Sequence, residues 1–119
     1  MAFKFESFDT WKRAIEFADK MFAVADSLPQ RYQFSLGEQL RRAALSIPTN
    51  LAEGSGRDNP KEKRYFSGLS KGSVYEVVSL LVMVGKRGCM TREDYRGYYG
   101  EADEIAAMIT GAIRALDSS

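Results

Sequence analysis

QLRRAALSIPTNLAEGSGR, residues 39–57, sets a proline at position 48 in the middle of a pattern that is otherwise helical. Pro48 has no N–H for the carbonyl of Ala44, and its ring crowds the preceding turn, a cost of about 3 kcal/mol in a helix interior. The apolar residues nevertheless run through it. Leu36, Leu40, Ala43, Ile47 and Leu51 recur at spacings of four and three, one face of a helix. The stretch therefore reads as one continuous helix, kinked at the proline. Ser46, Thr49 and Asn50 flank it with short polar side chains suited to backbone groups that a kink loosens.

Beside the apolar face runs a second helical line, Arg42, Ser46, Asn50 and Glu53, with Arg41 next to it. Such a line is either a strip for a partner or nucleic acid, or a hydrogen-bonded seam between helices or subunits. The seam is preferred, because no aromatic residue is interleaved along the line to stack a base. Gly54 and Gly56 then supply the permissive backbone that ends a helix.

Working outward, three further helices are expected. The first spans about 8–27, capped by Ser7 or Asp9 and stopped before Pro29. Its two apolar lines, Phe8-Trp11-Ile15-Ala18-Phe22-Ala25 and Ala14-Phe17-Met21-Val24-Leu28, make a stripe wider than one bundle contact needs. Contact with another subunit, or cover from Phe3 and Phe5, would each account for that width. The helix containing Pro48 is expected over 35–55, opening on a Ser35/Glu38 capping box after a short loop, Pro29 to Phe34. The next runs over 60–86, capped by Asn59 with Pro60 at its first position, about 40 Å long at 1.5 Å per residue. Its Gly68 and Gly72, four apart, imply close approach of another helix backbone. The last spans 92–116, with Thr91 as cap. Its Tyr95, Tyr98 and Tyr99 read either as base-stacking groups or, by preference, as lids on the core with their hydroxyls in water. A frayed tail, 117–119, follows. Short loops make successive helices antiparallel, so the fold class is all-α, an antiparallel up-and-down four-helix bundle, with 1–119 as one domain.

Composition narrows the function. The chain has no histidine and one cysteine, Cys89. The usual zinc sites and any Ser-His or Cys-His nucleophile pair are thereby excluded, and the Glu-x-x-His motif of di-metal bundles is absent. No enzyme activity, metal or cofactor is expected. Cys89 reads as a small apolar loop residue, which suits a reducing, cytoplasmic setting. No run of eighteen apolar residues and no basic-then-apolar leader is seen, so neither a membrane span nor a secretory signal is expected.

RRAALSIPTNLAEGSGR, together with KEKRYFSGLSKGSVYEV at 61–77, resembles the signature of the 23S rRNA-intervening-sequence protein family and, beyond it, the accessory variability determinants of diversity-generating retroelements. The likeness is strong over 39–57 and looser over nearly the whole chain. It implies a homopentameric ring of four-helix bundles, and for the retroelement relatives, binding to nucleic acid and to a reverse transcriptase. It supplies no catalytic residues.

Charge bears on that expectation. The whole chain sums to +1, but residues 31–71 hold eight Lys or Arg against four acids, a local +4 that leaves −3 elsewhere. Arg57, Lys61, Lys63, Arg64 and Lys71 cluster around the second loop and the next helix, and are the candidate phosphate contacts, multiplied by any ring. The retroelement relatives are typically more basic. Two readings follow: an oligomeric nucleic-acid adaptor whose partner supplies the chemistry, or a purely structural scaffold in which Arg41, Arg42, Ser46, Asn50 and Glu53 make subunit contacts.

Overall fold

A computed structural model describes residues 3–117. A single 3-10 turn, Lys4–Ser7, leads into α1, Asp9–Asp26. The second helix, α2 (30–55), has three consecutive sections: an α-turn Gln30–Tyr32, a π-helical stretch Gln33–Gly37 and the main body Glu38–Ser55. Then come α3, Pro60–Lys86, and α4, Arg92–Asp117, and no strand is present among the described residues. Each helix packs on its chain neighbours, α4 closes on α1, and the diagonal pairs stand further apart. Cross-helix bonds give the directions. Ser46 meets Ser73 while Ile47 meets Ser70, and Arg13 meets Glu104 while Lys20 meets Glu101, so both pairs of helices run antiparallel. This is the up-and-down bundle, 46 Å along its axis.

All four helices feed one core. Phe17 and Met21 of α1, Leu40 and Ile47 of α2, Val74, Val77 and Leu81 of α3, and Ile105 and Ile109 of α4 are buried in it. Each such side chain contributes about 1.5–3 kcal/mol by leaving water. On α1 the line Ala14-Phe17-Met21 is the buried one, with Ala18 and Ala25 at its edge. Trp11 is covered edge-on by Phe5, ring centroids 4.9 Å apart, whereas Ile15 stays exposed. The N-terminal aromatics thus account for one end of the wide stripe and not for its middle.

The helix through Pro48 is unbroken, and Pro48 is buried within it. The side chains around it bond the backbone. Thr49 Oγ1 donates to the Leu45 carbonyl at 2.7 Å and Asn50 Nδ2 to that of Ser46 at 2.8 Å. Ser46 Oγ reaches the Ala43 carbonyl at 2.8 Å and also Ser73 Oγ.

Several helix ends differ from expectation. Neither Ser7 nor Asp9 caps α1: Phe8 holds the cap position, Asp9 is the first helical residue, and Ser7 Oγ bonds back to the Lys4 carbonyl. The Ser35/Glu38 box does not form, because the chain is already helical from Gln30 and Ser35 lies in the π-helical turn, its hydroxyl on the Tyr32 carbonyl. The connection is therefore only Ser27 to Pro29. Gln33 explains why so short a link suffices. Its Nε2 donates to the carbonyls of Ala25 and Leu28, 2.9 and 2.8 Å away, which closes the C-terminus of α1. At the end of α2, Gly56 has ordinary right-handed dihedrals, so conformational freedom is not what it supplies. The left-handed residue is Gly88, φ 74°, after α3. There Cys89 N–H reaches back to the Val84 carbonyl and Gly88 N–H to that of Gly85, a Schellman closure. Asn59 and Thr91 do cap α3 and α4, accepting from the N–H groups of Lys61 at 2.8 Å and Asp94 at 3.1 Å. Asp117 closes α4 in an ion pair, and Ser118 and Ser119 of the expected tail lie outside the described residues.

Candidate functional site

Two surfaces compete for function, and both belong to α3. The first is its basic N-terminal end. The α2–α3 turn and the first turns of α3 bring Arg57, Lys61, Lys63 and Arg64 to one end of the bundle, with Lys71 about 10 Å further along the helix. Acids meet them there. Arg57 pairs with Glu53 at 3.3 Å and lies over the Phe66 ring, 4.8 Å from its centroid. Arg64 pairs with Asp117, 2.6 Å away, brought from the far end of the chain by α4. Lys63 Nζ makes a long bond, 3.4 Å, to the Ser55 carbonyl. The ammonium groups of Lys61 and Lys71 have no partner among the described residues. A charge count along the sequence cannot register Asp117, fifty-three positions from its arginine.

The polar line of α2 is spent locally. Ser46 alone bridges to another helix, at Ser73, while Asn50 bonds its own backbone and Glu53 takes Arg57. Arg41 is held inside the chain at the α1–α2 corner, where Asp26 Oδ1 at 2.7 Å and Gln33 Oε1 at 2.6 Å both accept from it. Arg42 is largely exposed and 4.0 Å from Glu38, one turn away. The true seam between α2 and α3 contains a residue the sequence did not announce. Ser70 is buried and donates to the Ile47 carbonyl at 2.8 Å, beside the proline. Its signal was positional: it shares a helix face with Val74 and Val77.

The second surface is the outer face of α3. Tyr65, Gly68, Leu69, Gly72, Tyr75, Val82 and Met83 recur along it at helical spacing, and all are exposed. A side-chain carbon added at Gly68 or Gly72 would meet nothing within 4 Å. The close helix approach expected from this pair is therefore not made inside the chain. Close approach occurs instead at Gly54, where an added carbon would lie 2.9 Å from Phe66 Cβ. α3 is long and apolar enough on average to cross a membrane, although it holds no run of eighteen apolar residues. Its inner face, however, is packed in the core, and Lys71 and Glu76 interrupt the apolar sequence.

Of the three tyrosines on α4, Tyr95 and Tyr98 pack on the core as lids, and Tyr99 is half exposed beside Tyr95, ring centroids 6.0 Å apart. Cys89 sits half-buried in the last loop. No group of three metal-ligating side chains occurs among the described residues. The exposed ion pairs that tie α1 to α4 are electrostatically visible: hydrogen bonding and charge from Arg13 lower the Glu104 carboxyl below its ordinary range, and Glu101 raises Lys20.

The model of the 23S rRNA-intervening sequence protein family matches residues 6–111, from the N-terminal turn to the last turns of α4. The chain belongs to this family. The match takes in both α3 surfaces and the Pro48 helix together, so the bundle itself is the family unit. Comparison with curated proteins gives no match.

Proposed function

We propose that this member of the 23S rRNA-intervening sequence protein family is a non-enzymatic, self-assembling scaffold, in which copies of the chain meet on the outer face of α3. The observation that carries this reading is the open pair Gly68 and Gly72 within an exposed apolar stripe. Each glycine in an exposed helix interior costs about 1 kcal/mol relative to alanine, and no backbone of the same chain uses the space. A second helix does use such a groove. Ile15 is exposed on α1, diagonal to α3, and a contact between these two different faces is of the head-to-tail kind that closes into a ring. A homopentamer is the ring size that the resemblance implies. The test is mass by light scattering on Gly72→Leu and Leu69→Glu. Both variants should fold as the parent does and lose assembly, and assembly unchanged in both would overturn the proposal.

A nucleic-acid adaptor, with a partner such as a reverse transcriptase, is the second reading. It is supported by Lys61 and Lys71, which remain unpaired among the described residues, and by the weakly held Lys63. It predicts RNA or DNA binding whose log affinity falls by about 0.9 for each phosphate contact per tenfold salt. Replacing Lys61, Lys63 and Arg64 by Glu should abolish that binding with helicity intact, and retention by the triple variant would exclude the site. Assembly on α3 comes first because internal acids already hold two of the five cations.

A further inference from the structure

At the end of the bundle that carries the 3-10 turn, the four helices leave a groove open to solvent. A pocket of about 420 Å³ remains between them, within the size range of small-molecule sites. Its walls are apolar: Phe8 and Trp11 from the start of α1, Leu51 from the end of α2, and Leu116 from the end of α4. Small residues on two helices, Ser67 of α3 and Ala112 of α4, line it as well. Two lysines border it, Lys4 of the 3-10 turn and Lys63 of α3, the latter with its Nζ 3.4 Å from the Ser55 carbonyl, and no acid lines it among the described residues. Glu53 and Asp58 line a neighbouring cleft that Lys4 and Lys63 also border, and Asp117 is held by Arg64.

We propose that this pocket binds a single-tailed anionic amphiphile, a medium-chain carboxylate, with its tail against Trp11 and Leu51 and its head between Lys4 and Lys63. The occupant follows from the lining. Apolar walls select a tail, and paired lysines with no lining acid select a negative head over a neutral or positive one. The site is separate from the outer face of α3 and does not depend on assembly.

Trp11 is the only tryptophan of the chain, so its fluorescence reports the pocket directly. The full chain is titrated with octanoate, decanoate and decan-1-ol, with helicity followed by circular dichroism. Decanoate should give a saturable change in Trp11 emission at constant helicity, each added methylene tightening binding about fourfold. Decan-1-ol should bind about tenfold more weakly, for want of charge-assisted hydrogen bonds. Lys4→Gln with Lys63→Gln should erase that preference, and Ala112→Phe, a change at an exposed helical position, should abolish binding by filling the space. The absence of a saturable change in the parent chain, equal binding of alcohol and carboxylate, or binding that survives Ala112→Phe would each overturn the proposal.

Discussion

Gly54 on α2 and Gly72 on α3 are both helical glycines, yet they answer to different neighbours. At Gly54 the space for a side chain is already taken by Phe66 of α3, with 2.9 Å to its Cβ. At Gly72, and equally at Gly68, the space is open. The first glycine serves the fold of the chain, since only hydrogen on its α-carbon lets α2 and α3 close at that end. The second costs helix stability and meets nothing within the chain, which is the observation the proposed assembly rests on.

The largest effect that would break this comparison is at the crowded glycine. Gly54→Ala should destabilise the chain by about 1–3 kcal/mol, since the carbon it meets is the Cβ of Phe66 rather than a flexible tip. Denaturant unfolding reads this, and an unchanged midpoint would remove the contrast. Next is Gly72→Ala, which should raise the stability of the isolated chain by up to about 1 kcal/mol. A loss instead would mean that the α3 face is occupied within the chain. Ser70→Ala should cost about 1 kcal/mol, the net worth of its bond to the Ile47 carbonyl, whereas Ser79→Ala on the open face should change the midpoint little.

The smallest effect is electrostatic. Glu104 has its carboxyl lowered by Arg13, so the contribution of this pair is present above the ordinary carboxylate range and is lost as pH falls through the depressed value. The pair is solvent-exposed, and the effect should be slight and should fade with salt. Comparing Glu104→Gln with the parent chain between pH 7 and pH 3 measures it. The two should differ at the upper end and converge at the lower, and a difference that grows on acidification would contradict the assignment.

Much of the fold was legible because it rests on periodicity. The unbroken helix through Pro48 could be read from Leu40, Ala43, Ile47 and Leu51, and the caps at Asn59 and Thr91 from residue types with one local role. What failed was local chemistry overridden by distant partners. Ser35 and Glu38 have the form of a cap, but Gln33 bonds the carbonyls of α1 and starts the helix earlier. The basic cluster looked free in sequence because Asp117 enters only through the packing of α4 on α3. Gly68 and Gly72 read as a close-packing signal, but within the chain no helix approaches them. Spacing along one helix carries no information on whether the second helix belongs to the same copy.

Light scattering across a concentration series, for the parent chain and Gly72→Leu side by side, decides whether copies meet on α3. Several copies per particle are expected for the parent and a mass near 13.3 kDa for the variant, at equal helicity. A parent that stays at 13.3 kDa at high concentration, or a variant that assembles as the parent does, would contradict it.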